Sequence, residues 1–313
     1  EEVDEPVAGP GQVVVDIKAT GISFPDVLIV QGLYQFKPPF PFSPGSEISG
    51  VVSSVGEGVT MHKEGDRVMG SIGSGGLREK GVYLEQQLMP LPESMDFNTA
   101  AGFPLNYGTT YHAFKQRGEL KAGQSVLVLG AGGGLGITAI HIAKAMGAKV
   151  IAAASSQEKI DLCKKEGADE GIIYERDMDR DLQKKFSDQI KEVTGGGVDM
   201  IYDLVGGDYA EPALRAIARH GKYLVIGFTA GIPKMPLNLT LLKECQIVGV
   251  FWGQFAGVDQ AENQQNFKEL FDLHAEGKIK PFVTETYTLD ESAAAIKTLE
   301  DRKVLGKVVV SME

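Results

Sequence analysis

The stretch 126–137, "VLVLGAGGGLGI", decides how this chain is read. Taken alone, its glycines suit either a slack linker or a backbone turn that lets a phosphate come close. A flexible linker has no periodic structure on either side to tie down. Here the run follows the apolar strand "QSVLVLG" and opens the helix-like "LGITAIHIAKAMG". That is the setting of a dinucleotide turn, where glycine permits a tight bend and close approach to a pyrophosphate, whose charge the helix N-terminus stabilises. In register the motif is Ala131-Gly132-Gly133-Gly134-Leu135-Gly136, with alanine in the slot of the usual first glycine.

Working outward, apolar runs alternate with helical stretches: "KVIAAAS", "QEKIDLCKKEG", "EGIIYE", a charged helix over 178–193, "VDMIYDLVG", "AEPALRAIARHG", "KYLVIGF" and "QIVGVFWG". Runs without polar alternation predict strands covered on both faces, hence parallel strands joined by crossover helices. With the first strand they form an α/β doubly wound sheet of the Rossmann type. The first hundred residues instead carry short β runs punctuated by Gly and Pro, such as "QVVVDIKATG" and "ISGVVSSVG", which predict a compact, partly barrel-like β domain. "GSGGLREKG" at 73–81 reads as a surface loop of that domain. The tail shows a helix over about 261–275, a strand in "TETYTL", a helix over about 290–301 and a last strand "KVVVSM" returning to the first domain. The expected division is 1–107 with 254–313, and 108–253.

Length and composition agree with two domains: 313 residues, 43% hydrophobic and 23% charged, are ordinary for a soluble globular protein. A net charge of −11 argues against nucleic acid or an anionic membrane as the main partner. No apolar run reaches the roughly 18 residues a membrane span needs, and the N-terminus has no signal-peptide pattern, so a cytoplasmic or organelle-matrix enzyme is expected. Two cysteines, Cys163 and Cys245, and five scattered histidines form no disulfide framework and no familiar metal spacing.

The second strand bears on the cofactor. NAD-selective sites place Asp or Glu about 20 residues beyond the turn to bind the ribose 2′-hydroxyl. This strand ends "AAASSQEK", with Ser155 and Ser156 where the acid would stand and Lys159 one turn into the helix. Nothing there repels a 2′-phosphate, and Lys159 can neutralise it, so NADPH is the expected cofactor. The competing reading of Lys159 is an ordinary solvated helix lysine.

A β domain, a Rossmann-type domain and a returning tail resemble the medium-chain dehydrogenase/reductase superfamily. Within it, "GISFPDVLIVQGLY", "PGSEISGVVSSVGEGV", "GDRVMG", "YGTTYHAF" and "GAGGGLG" resemble the quinone oxidoreductase and zeta-crystallin branch, and "GVFWGQFA" its quinone oxidoreductase-like protein 2 group. The resemblance covers essentially the whole chain. It implies a GroES-like catalytic domain beside the Rossmann domain, a homodimer joined near "IVGVFW", and an N-terminus shortened by a strand or so. It also implies residue roles. Thr109 lies beside the nicotinamide, Tyr174 and Arg302 near the adenosine phosphate, and the backbone of Phe251, Trp252 and Gly253 at the carboxamide. The segment "SFPDVLIVQGLY" faces the nicotinamide, with Ser23, Asp26 and Tyr34 at the site.

The zinc alcohol dehydrogenases of the superfamily carry Cys near Ser23 and Gly-His-Glu where this chain has Gly45-Ser46-Glu47. Both soft ligands are missing, so no zinc is expected, nor the Lewis acid it supplies. Hydride addition to a quinone or an enone pushes charge onto a distant oxygen, and a donor there lowers the barrier. Tyr34, protonated at neutral pH, is the expected donor; its other reading is an amphipathic residue beside "FKPPFPFSPG". Ser23 replaces the Asn common in the branch, and Asp26 either acts on the acceptor or only fixes the loop. The function expected is a zinc-independent NADPH oxidoreductase of quinones or enones. An enoyl-thioester reductase and a non-catalytic NADPH-binding protein stay open as alternatives.

Overall fold

The computed structural model describes residues 3–301 and 304–312. The chain divides into two compact units, Glu1–Leu105 with Pro281–Glu313, and Asn106–Lys280. The expected boundaries at 107/108 and 253/254 therefore lie at 105/106 and 280/281. The second shift has a packing reason. The helix Gln260–Ala275 buries Phe267 and Leu270, and Lys115 reaches Asn266 and Glu269 on it, so it belongs with the parallel sheet.

The first unit begins with five strands: β1 (Gln12–Ile22), β2 (Glu47–Val55), β3 (Arg67–Ser71), β4 (Lys80–Leu84) and β5 (Leu88–Pro90). Val13, Val15 and Ile17 alternate along β1 and enter one core with Ile48, Val52, Val68 and Leu88, as the two-residue period of a strand requires. β1 pairs antiparallel with both β2 and β4. The segment 73–81 is only partly a surface loop: Gly75 and Gly76 are buried, and the Thr20 hydroxyl donates to Gly76 O at 2.6 Å.

The second unit carries β6 (Ser125–Leu129), β7 (Lys149–Ala154), β8 (Glu170–Ile173), β9 (Val198–Asp203), β10 (Ile217–Val225) and β11 (Gln246–Gly249). All pairings are parallel, in the order β11-β10-β9-β6-β7-β8. Chain order therefore reverses at β6, and ligands of such sheets sit at the carboxyl ends of the strands beside that reversal. Leu127, Leu129, Ile151 and Ile201 have no exposed surface, which accounts for their unbroken apolar runs.

Two sequence assignments change here. In "AEPALRAIARHG" the helix covers only Ala210–Arg215, and the strand begins at Ile217, with a register shift before Lys222 and His220 at φ 64°. In "QIVGVFWG" the strand ends at Gly249, and a helix starts at Trp252, whose side chain is buried.

The last two strands, β12 (Val283–Thr288) and β13 (Lys307–Ser311), return to the first unit as expected. They extend its sheet to the order β12-β13-β1-β2-β3-β5, with β4 beside β1. The chain's last described strand is thus an interior neighbour of its first.

Candidate functional site

In the second unit the glycine turn leaves β6 at its carboxyl end. The N–H groups of Gly130 and Ala131 both donate to Ala153 O on β7, at 3.1 and 3.0 Å. Gly130 holds φ +76°, so it makes the left-handed bend. The tight turn is one residue earlier than the motif register suggested, which explains why Ala131 is tolerated. Gly133 is the N-cap of the helix Gly134–Ala145, and no side chain caps that end. A Cβ on Gly133 would meet only Gly130 O, at 3.8 Å, so the space before the helix end is open. Gly132 lies against the Lys159 stem, Leu135 is half-buried, and Gly136 presses the helix onto Ala131 O. An uncapped N-terminus with open space in front of it fits a pyrophosphate.

At the end of β7, Ser155 is half-buried and Ser156 caps the helix Gln157–Lys165, accepting from Lys159 N at 3.4 Å. Part of Ser156's capacity is therefore already used on its own helix. Lys159 is half-buried, and burial first, then the nearby Arg176 guanidinium, lowers its ammonium pKa. Among the described residues no carboxylate forms an ion pair with Lys159. Tyr174, the residue after β8, packs on Phe186 and Tyr209, and the Tyr209 hydroxyl donates to Glu175 O and Arg176 O. That fixes the backbone at Arg176, an exposed cation close enough to Lys159 to lower its pKa, and two neighbouring cations are what a dianionic group favours. Arg176 lies in no sequence motif and comes near Lys159 only through folding.

Thr109 is half-buried, whereas Thr110 turns inward and shares a 2.9 Å hydrogen bond with Tyr202. Phe251 and Gly253 are exposed, and Trp252 is anchored by its indole N–H on Asn263 at 2.9 Å. Arg302 lies outside the described residues.

In the first unit the chain after β1 enters the short helix Phe24–Val30 with Ser23 at its N-cap. Asp26 secures that entry: it accepts from Ser23 N at 2.8 Å, Gly45 N at 3.2 Å and the Ser46 hydroxyl at 3.1 Å. Its geometry is that of a loop clamp. Burial outweighs these bonds and the nearby Lys307, pushing the Asp26 carboxyl above its ordinary 3.8 to about 6.

The Ser23 hydroxyl is not spent on capping. It donates to Glu47 Oε2 at 3.1 Å and accepts from Lys307 Nζ at 2.5 Å. Lys307 also forms a short ion pair with Glu47 Oε2, and Glu47 Oε1 accepts from Leu105 N at 2.7 Å. The lysine and glutamate side chains are 5% and 0% exposed, so this is a buried ion pair. Sequence reasoning passed over Lys307 because it reads as the polar edge of "KVVVSM".

Tyr34 follows the helix in a half-buried bend. Burial, and secondarily the Asp26 carboxylate, raise its phenol pKa. Among the described residues its hydroxyl has no hydrogen-bond partner.

The family's zinc-ligand positions thus hold two hydroxyls, Ser23 and Ser46, while Glu47 is engaged by an ammonium. Hydroxyls around a lysine are not a zinc donor set, which draws on thiolate, imidazole and free carboxylate. Among the described residues no three His, Cys, Asp or Glu side chains could hold a metal elsewhere, and no helix is long and apolar enough to cross a membrane.

Comparison with known proteins assigns residues 9–93 to the alcohol dehydrogenase GroES-like domain and 134–276 to the zinc-binding dehydrogenase domain. The chain is 38% identical over 308 residues to the quinone oxidoreductase-like protein 2 homolog of Nematostella vectensis, covering 97% of this chain and 82% of that protein. Quinone oxidoreductase-like protein 2 of Bos taurus is 36% identical over 315 residues, covering 100% and 88%. The Escherichia coli quinone oxidoreductase structure complexed with NADPH superposes with a TM-score of 0.90 at 30% identity, covering 99% of this chain and 94% of that one.

The raised Asp26 pKa has a thermodynamic signature. The folded chain holds this proton to about pH 6, while the unfolded chain releases it near 3.8, so this group's contribution to stability is fully present below 3.8 and is lost as pH rises through that window. The difference for this one group is about 3 kcal/mol. Carboxyl carbon NMR should show one aspartate titrating near 6 that disappears in Asp26→Asn. The wild-type unfolding free energy should decline relative to that variant over the same range. A midpoint near the ordinary value would contradict the clamp's electrostatics.

Proposed function

Because the chain belongs to the medium-chain dehydrogenase/reductase superfamily, among the quinone oxidoreductase-like proteins, we propose that it is a zinc-independent, NADPH-dependent oxidoreductase of quinones or α,β-unsaturated carbonyl compounds. The observation that carries this reading is the uncapped glycine turn with Lys159, which forms no ion pair among the described residues, laid along Gly132. The NADPH in the Escherichia coli relative supports the same cofactor. NADPH, when bound, supplies the hydride.

The chain's own residues bind, orient and protonate. N–H groups at the start of the helix Gly134–Ala145 hold the pyrophosphate. Lys159 and Arg176 take the 2′-phosphate, with Ser155 beside them; Tyr174 shapes that end of the site, and Thr109 and the backbone of 251–253 hold the nicotinamide. In the first unit Tyr34 donates to the acceptor oxygen that gains charge, and its raised pKa keeps its proton available at neutral pH. Ser23 adds a second hydroxyl, and Asp26 fixes the segment that carries both. Charge on the acceptor is met by hydrogen bonds rather than by a Lewis acid, consistent with Ser23 and Ser46 at the ligand positions.

We also infer a homodimer. β11 is the outer strand of its sheet, and Leu237 and Leu241 on the preceding helix and turn are 69% and 76% exposed. An unpaired strand edge flanked by apolar side chains is suited to pairing with a second copy.

Purified protein should oxidise NADPH faster than NADH against a panel of quinones, enones and enoyl thioesters, and should contain no stoichiometric zinc. Lys159→Ala should weaken NADPH about 10- to 100-fold, a charge-assisted hydrogen bond's worth, with little effect on NADH. Tighter NADH binding, or turnover of enoyl thioesters alone, would overturn the assignment of cofactor or acceptor respectively. Tyr34→Phe should lower kcat about 100-fold with KM changed only a few-fold; unchanged turnover removes Tyr34 as donor. Light scattering should give twice the chain mass, and Leu241→Asp should shift it toward the monomer.

A further inference from the structure

Lys307 belongs to the first unit's buried cluster yet lies in none of the sequence motifs and takes no part in the proposed reaction. It opens β13, flanked by β1 and β12, and its aliphatic stem runs past Gly102, where a Cβ would come within 2.9 Å of Lys307 Cγ. A backbone without a side chain at 102 therefore makes room for this lysine. Its ammonium ends on two acceptors, Glu47 Oε2 and Ser23 Oγ. A buried lysine is retained at a cost in desolvation, met here by direct pairing.

The direction of these bonds matters. An ammonium has only donors, so at Ser23 it must donate, and the hydroxyl oxygen accepts. The Ser23 proton is then left for an acceptor, Glu47 Oε2 in this structure at 3.1 Å. A hydroxyl that accepts from a cation donates more strongly, because each bond polarises the next. Lys307 also offsets the charge of Glu47, which would otherwise repel a developing oxyanion. A third charged group near the cluster is Asp26, wrapped by two backbone N–H groups and the Ser46 hydroxyl.

We propose that Lys307 is a positioning residue of the reductase site: its buried ammonium, fixed on Glu47, orients and polarises the Ser23 hydroxyl so that this hydroxyl hydrogen-bonds the acceptor oxygen as it gains charge. The inference rests on the reading that Ser23 belongs to the acceptor's site. No proton needs to leave Lys307, and Tyr34 remains the proton donor.

Lys307→Met alone leaves Glu47 buried without its cation, so the test uses Lys307→Met/Glu47→Gln, which removes both charges and keeps the volume, beside Ser23→Ala and the triple variant. Thermal melting confirms folding, and cofactor fluorescence should give NADPH affinities like that of the wild type. With a para-quinone, the double variant and Ser23→Ala should each lose about 10- to 100-fold in kcat with KM little changed, and the triple variant should lose no more than either. Multiplying losses, a loss confined to KM, or no loss would overturn the proposal.

A second arm needs no turnover. 4-Nitrophenol added to cofactor-free protein reports the ionised fraction of bound phenol by its phenolate absorbance. The wild type should favour phenolate about tenfold more than the double variant. Equal fractions, or no binding to the wild type, would count against Lys307. If the wild type reduces none of the acceptors yet still favours phenolate, the proposed reaction fails and the Lys307 assignment stands.

Discussion

The buried pair of Lys307 and Glu47 is the constraint on which the first unit's site depends. It joins β13 to β2, residues 260 positions apart, on either side of β1. Breaking such a pair by removing one partner costs about 3–5 kcal/mol, because the other charge is left in a medium that cannot solvate it. Ordering of the tail is therefore tied to ordering of the site. Glu47 needs its ammonium, Ser23 is held through both, and Leu105 N–H is satisfied by the remaining carboxylate oxygen. Apolar residues filling the same volume would leave no such uncompensated charge, so the pair is not in itself a large source of net stability.

The second unit follows a different logic, in which backbone rather than side chains makes the site. Gly130 bends left-handed so that two successive N–H groups reach the same carbonyl of β7, and the next helix begins with its end uncapped. No side chain caps the donors at that end, and such an end favours an anion. Side chains enter only at the periphery, where Lys159 lies along the turn and Tyr209 fixes the segment bearing Arg176. Hydroxyl, ammonium and carboxylate form one unit's chemistry, and bare amide groups the other's.

Legibility in the sequence tracked how local each cause is. The central strands β6, β7 and β9 are legible as apolar runs because burial on both faces removes polar alternation from them. The strand over 217–221 was hidden, since "IARHG" carries a helix-like pattern while its pairing with β9 is irregular and turns on His220 in a left-handed conformation. The helix Gln260–Ala275 was found, yet its unit was misjudged, because what it packs against is set by Lys115 and Gln116, about 150 residues earlier. Asp26 was noticed as part of a segment, but its three hydrogen-bond partners come from two separate stretches.

By itself the sequence determined the two fold classes, the dinucleotide turn, the absence of an acid after the second strand and the hydroxyls at the zinc-ligand positions. Each of these is a matter of residue type at short spacing, which physics reads through period, bend and donor chemistry. The tertiary structure alone decided that Gly130 makes the bend, that Arg176 comes near enough to Lys159 to act on its charge, and that a lysine from the last strand sits on Ser23 and Glu47. The reason is electrostatic and steric. A charge acquires its role from what desolvates and pairs it, and those partners are brought together only by the sheet that joins the first strand to the last.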